Sequence, residues 1–141
     1  MQLKDGNDNI YPNVIREGTW TPTMDNANVT YTLRLGTYKK IGNMVFYNCR
    51  LRGTINSTTS PYYATISGLP FAPDTDYAGT LFEHLNCCVN NQNLLVRVSN
   101  SNNAGVIGLQ RDNENAGGAL AQWNTDLGTF YISITGFYFT D

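Results

Sequence analysis

The chain has 141 residues, with nine Lys and Arg against eleven Asp and Glu and a formal charge of −2. That balance excludes the basic patch of a dedicated nucleic-acid binder and the polybasic signal of a membrane-surface protein. Charged residues make up only 14%, well below the usual quarter, and Asn, Thr, Ser, Gly and Tyr fill the gap. Such a surface suits hydrogen bonding to neutral partners, either sugars or a neighbouring chain. A chain of this length is expected to form one domain and to bury roughly 68–70% of its unfolded surface, enough for a core without staples. No apolar run is long enough to span a bilayer, so no membrane insertion is expected. The first residues lack the apolar stretch of a secretory signal, which points to synthesis in a cytoplasm or to a piece of a longer protein. Three cysteines, Cys49, Cys87 and Cys88, are no disulfide framework and read as buried free thiols.

In chain order, residues 1–17 read as an extended leader or linker and residues 18–141 as the folded domain. The stretch 18–24 is a strand that Pro22 confines to an edge or a strand end. Residues 29–35 alternate cleanly, with Val29, Tyr31, Leu33 and Leu35 on one face. Residues 36–53 pair a short β-prone run with a long one around Gly42-Asn43, a hairpin signature. On the long strand Val45, Tyr47, Cys49, Leu51 and Ile55 share the core face. Met44 and Phe46 lie opposite, on a face free to meet a second chain. A short strand over 62–66 leads into a rigid corner at Leu69-Pro70-Phe71. Residues 77–89 form a second long strand, with Leu81, Glu83, Leu85 and Cys87 on one parity and Phe82, His84 and Cys88 on the other. Strands follow over 94–98, 105–110 and 130–139, with Gly136 a bulge or close approach. Residues 116–123 leave room for one helical turn. Many short strands between turn clusters predict an all-β fold, an antiparallel β-sandwich of jelly-roll type.

Four motifs occur in order: Gly18-Thr19-Trp20-Thr21-Pro22, then Gly36-Thr37-Tyr38-Lys39-Lys40-Ile41-Gly42-Asn43-Met44-Val45, then Ile66-Ser67-Gly68-Leu69-Pro70-Phe71, then Ile132-Ser133-Ile134-Thr135-Gly136-Phe137-Tyr138. Their succession resembles the C-terminal domains of phage and prophage tail-fibre, head-fibre and baseplate receptor-binding proteins. The resemblance covers residues 18–141, is densest before Phe71, and fades between residues 77 and 129. It implies a homotrimer at the tip of a virion appendage. The implied partners are a host cell-surface polysaccharide and other virion fibre or baseplate proteins. The trimer contacts would come from Met44, Phe46 and His84.

Catalytic chemistry is not visible. His84 is the only histidine, and no G-x-S-x-G elbow accompanies it. The carboxylates Asp74, Asp76, Glu83, Asp112, Glu114 and Asp126 fall mostly in turns, with no marked glycosidase pair. Along a strand His84 and Cys88 share a face but lie roughly 13 Å apart, too far to ligate one ion. No enzyme, cofactor or metal is expected. Sugar binding needs an exposed aromatic platform ringed by hydrogen-bonding groups. Two clusters qualify: Trp123, Asn124 and Asp126 beside Arg111, and Tyr62 with Tyr63. Together with the resemblance, which implies the virion setting, these clusters make the expected function a virion adhesin that binds a host glycan. The alternative is a trimeric fibre or head-fibre module with no ligand of its own.

Overall fold

The computed structural model describes residues 3–4, 10–11, 15–60, 63–88, 94–101, 104–111, 119–126 and 128–141. Twelve strands run in the order β1 (Leu3–Lys4), β2 (Ile10–Tyr11), β3 (Ile15–Trp20), β4 (Thr23–Met24), β5 (Ala27–Ile41), β6 (Met44–Thr58), β7 (Thr65–Leu69), β8 (Tyr77–Leu85), β9 (Leu94–Ser101), β10 (Ala104–Arg111), β11 (Ala119–Leu120) and β12 (Thr129–Phe139). The described residues contain no helix. β1 and β2 pair only with each other. The other ten form one antiparallel sheet in the order β3-β5-β6-β12-β8-β9-β10-β7-β4, with β11 beside β10. The all-β antiparallel expectation holds. Pairing into the ten-stranded sheet begins at Ile15, inside the stretch read as leader.

The two edges of this sheet are consecutive in the chain. β3 lines one edge and β4 the other, and only Thr21 and Pro22 separate them. The sheet must therefore curl until its edges lie side by side. Pro22 stands where the extended chain changes partners. It has no N–H to give, so it interrupts a ladder cheaply only at such a gap. Arg34 of β5 clamps the seam. Its Nε donates to the Pro22 carbonyl at 2.7 Å and its Nη2 to Thr23 Oγ1 at 2.7 Å. On the other side Gly68 of β7 has φ +106°, and a Cβ there would stand 2.2 Å from the Thr21 carbonyl oxygen. Only glycine lets the backbones approach this closely in that conformation.

Curling puts one parity of each strand inside. On β6 the buried residues are Val45, Tyr47, Cys49, Leu51 and Ile55, the face read from the sequence. They meet Phe130, Ile132, Ile134 and Tyr138 of β12, and Val96, Val98, Ile107 and Leu109 of β9 and β10. Tyr47 lies across two glycines in register, Gly136 of β12 and Gly79 of β8. A Cβ at either position would fall within 2.8 Å of the Tyr47 hydroxyl. The Tyr138 hydroxyl donates to the Phe71 carbonyl at 2.8 Å, and the Phe71 ring meets Tyr38 edge-on at 5.4 Å. The corner at Leu69-Pro70-Phe71 is thus tied to the closing strand.

Three sequence readings are corrected here. First, β5 carries a register shift between Tyr31 and Leu33. Beyond it Leu33 and Leu35 pair with Arg52 and Arg50, on the outer face, while Gly36 and Tyr38 take the inner positions against Cys49 and Tyr47. A bulge adds one residue and so reverses parity. Second, residues 77–89 are not one strand. β8 ends at Leu85, and Asn86 has φ +55°, which breaks the extended backbone. Third, within 116–123 the described residues form β11 and the bridge residues Gln122 and Trp123, not a helical turn.

Candidate functional site

The residues expected to bind a ligand do not converge on an exposed platform. Trp123 is only 3% exposed and belongs to the core. Its backbone bridges to Cys88, and its indole Nε1 donates to the Asp25 carbonyl at 2.7 Å. The ring faces of a buried indole are covered, so Trp123 presents no exposed platform. Its neighbours serve the turn. The Asn124 N–H donates to the Cys87 carbonyl at 3.1 Å, and Asn124 Oδ1 accepts the Asp126 N–H at 2.8 Å, an Asx turn. Tyr63 is 42% exposed and bridges to Gln122. Arg111 is exposed at the end of β10. Tyr62, Asp112 and Glu114 lie outside the described residues. Tyr63 is thus brought beside the Trp123 turn, with the indole beneath the surface rather than on it.

His84 is also misplaced by the sequence reading. β8 carries a register shift opposite Ser133 and Ile134, so Leu81 pairs with Ile134 while Glu83 pairs with Ser133. The extra residue is Phe82. Past it, His84 pairs with buried Ile132 and turns to the inner side, where its Nδ1 is buried without a hydrogen-bond partner among the described residues. His84 therefore does not share the outer face of Met44 and Phe46. All three cysteines are buried and free. Burial pushes the Cys49 thiol up to about 12. Cys88 is raised as well, through its hydrogen bond with Cys87 and burial. Thiols so raised stay protonated and unreactive at neutral pH.

The outer face of β3, β5, β6, β12 and β8 holds what the sequence did not show. Residues in register across antiparallel strands share a face, so the pairings read as rows. The first row is Ile15, Ile41, Met44 and Phe139. The second is Glu17, Lys39, Phe46 and Phe137. The third is Thr19, Thr37, Asn48, Thr135 and Thr80. The fourth is Leu35, Arg50, Ser133 and Glu83, and the fifth Leu33, Arg52, Tyr131 and Leu85. Successive rows are spaced about 7 Å apart, two residues along a strand.

The rows differ in chemistry. The first two form an apolar and aromatic end. Phe46 is 42% and Phe137 48% exposed, with ring centroids 6.1 Å apart, and Phe137 meets Phe139 edge-on at 6.2 Å. Met44 and Phe46 do lie opposite the core, as read. The third row is neutral and polar. It floors a groove of about 680 Å³ whose walls include the Glu17–Lys39 ion pair (3.7 Å) and Phe46. Beyond Asn48 and Thr135 a second hollow, about 310 Å³, is lined by Arg50, Phe82, Glu83 and Ser133. Phe82, at the bulge, is 80% exposed. Arg52 stacks on Tyr131 at 4.9 Å, one row further on.

Outside this face Asp25, Asp74 and Asp76 are engaged. Asp25 accepts from Thr65 Oγ1 at 3.1 Å and Ser67 Oγ at 2.7 Å, Asp74 accepts from the Tyr77 hydroxyl at 2.5 Å, and Asp76 pairs with Arg97. Among the described residues no three His, Cys, Asp or Glu side chains gather as a metal site.

No known protein family and no curated protein matches the sequence. Among solved structures, the fold is similar to part of the Dettilon tailspike protein, whose crystal structure aligns with a TM-score of 0.60 at 15% identity. The alignment covers 88% of this chain and 23% of that one. The shared feature is the fold, found in a tailspike protein as a segment of a longer chain.

Proposed function

We propose that this chain is a virion attachment module: the distal, receptor-binding domain of a phage tail or baseplate fibre. In this reading it has a jelly-roll-like fold, assembles as a homotrimer, contacts other virion proteins and binds a host cell-surface polysaccharide without catalysing a reaction. The observation that carries it is the divided outer face. An aromatic end built on Met44, Phe46, Phe137 and Phe139 adjoins a neutral, hydrogen-bonding groove floored by Thr19, Thr37, Asn48 and Thr135. Exposed aromatic area of this kind gains free energy by self-association, at about 25 cal/mol per Å² removed from water. The neutral row suits hydroxyl-rich ligands. The fold likeness to a tailspike protein and the ordered motifs support the same reading.

Weak single sites become firm attachment when three engage one surface. Labelled protein is therefore expected to bind intact host bacteria, and binding is expected to fall when the trimer is split. A trimer that stays silent on host cells and on their purified polysaccharide would favour the purely structural fibre module. Release of reducing ends from that polysaccharide would make the chain an enzyme and overturn the non-catalytic part.

A further inference from the structure

We infer that the hollow beneath Phe82 is a saccharide subsite that takes one neutral pyranose unit; this rests on the attachment reading above and assigns its ligand contact. Phe82 is the most exposed large apolar side chain among the described residues, at 80%. It sits within the register shift in β8 between Leu81 and Glu83. Bulges re-aim single side chains and recur beside binding sites. A ring held this far into water is costly unless something covers it.

What covers it is indicated by the hollow's other walls. Ser133 lies between Arg50 and Glu83 in one cross-strand row, and Asn48 and Thr135 stand in the next. Adjacent strands are about 4.8 Å apart, so Arg50 and Glu83, two strands apart, are separated by roughly the width of a sugar ring. Asn48, Arg50, Glu83 and Ser133 make no side-chain hydrogen bond or ion pair with another described residue. Arg50 is donor only, Glu83 acceptor only, and Asn48 and Ser133 are both. A pyranose edge presents hydroxyls that donate and accept, and its C–H face is apolar. It matches the donor end, the acceptor end and the Phe82 ring together. The one cation and one carboxylate cancel, so a uronate or phosphate gains at Arg50 and loses at Glu83. A second copy of this chain fits less well here, because the Thr19-Thr37-Asn48-Thr135-Thr80 row separates Phe82 from the Phe46–Phe137 end.

The test is a titration of the ¹⁵N-labelled full chain with methyl glucoside, methyl galactoside, N-acetylglucosamine and glucuronate, each alone. At least one neutral sugar is expected to give saturable amide shifts centred on Asn48, Phe82, Glu83 and Ser133. Phe82→Ala should weaken binding at least tenfold with unchanged circular dichroism, Phe82→Trp should retain it, and Glu83→Gln should weaken it. Glucuronate should bind more weakly than its neutral counterpart. Several results would overturn the subsite: no saturable shift with any neutral sugar, shifts centred instead on Arg97, Ser99 and Gln110, stronger binding of glucuronate, or shifts at Phe82 that depend on protein concentration alone. Failure of the attachment reading reads out separately, as wild-type protein that does not bind host cells. Wild-type protein that binds cells while Phe82→Ala binds equally well overturns the subsite alone.

Discussion

The Trp123 indole N–H donates to the Asp25 backbone carbonyl across 2.7 Å, joining residues 98 positions apart. Asp25 also uses its N–H on the Thr65 carbonyl and its carboxylate on Thr65 and Ser67. The turn after β4, the start of β7 and the segment after β11 therefore meet at one point. Trp123 is a fastener of the curled sheet. Trp123→Ala is expected to cost about 3–5 kcal/mol, as a large side chain leaves the core. Trp123→Phe, which keeps the bulk but strips the Asp25 carbonyl of its donor, is expected to cost about 1–2 kcal/mol. Urea unfolding midpoints measure both. Loss of sugar binding with unchanged stability would return Trp123 to the ligand.

Tyr47 and Gly136 make a second testable pair. The ring fits only because Gly136 and Gly79 carry no Cβ. The Tyr47 hydroxyl, however, is buried with no hydrogen-bond partner among the described residues. Gly136→Ala is expected to lose about 1–3 kcal/mol by overpacking. Tyr47→Phe removes an unsatisfied buried group and is expected to be neutral or stabilising by up to about 1 kcal/mol. Combined, Tyr47→Phe should recover part of the Gly136→Ala loss, a coupling that a double-mutant cycle in urea reads directly. Strict additivity would place the two groups out of contact.

Stability should fall in alkali from a defined pH. Burial raises Cys49 from its ordinary 9.0 to about 12, and Tyr138 from 10.0 to about 12. Tyr47 is raised too, chiefly by burial. These groups are neutral when protonated, and the folded state holds the proton more tightly. Above the unfolded value the unfolded chain binds fewer protons, so stability drops as pH rises. It should be flat with respect to these groups below about pH 9. Between about 9 and 12 it should decline by up to about 1.4 kcal/mol per pH unit for each titrating group. Cys49→Ala should shallow the first part of that decline, in urea titrations from pH 8 to 11. An unchanged slope would show that Cys49 titrates normally in the fold.

The aromatic end can be dismantled without touching the core. Phe46 and Phe137 are outward on β6 and β12, and their backbones stay paired whatever the side chain. Phe46→Ser with Phe137→Ser is expected to lower the assembly state while leaving the far-ultraviolet circular dichroism unchanged. Measured across concentration, association should weaken at least tenfold, since aromatic anchors dominate interfaces. An unchanged association constant would move the interface elsewhere.

Much of the fold was legible wherever parity runs unbroken. Within Met44–Thr58 burial alternates as far as Asn56, so its buried face from Val45 to Ile55 followed from period two alone. The Gly42-Asn43 turn was equally plain: Gly42 has φ +60°, and Ile41 pairs with Met44. Pro22 marked a discontinuity whose meaning, a strand changing edges, depends on pairings that no local pattern carries. The site was hidden by bulges. The shifts at Tyr31/Leu33 and Leu81/Glu83 cost one residue of register each and sent Leu35, Glu83 and Leu85 out and His84 in. No composition cue announces a bulge at Phe82. Trp123 misled for another reason. A tryptophan in an irregular, polar stretch looks exposed until the partner 98 residues away is known.

The central claim, a self-associating attachment module, is tested most directly by light scattering of the wild-type chain at micromolar concentration. The account predicts a particle of three times the 15.7 kDa chain mass. A particle of a single chain mass at that concentration would contradict it.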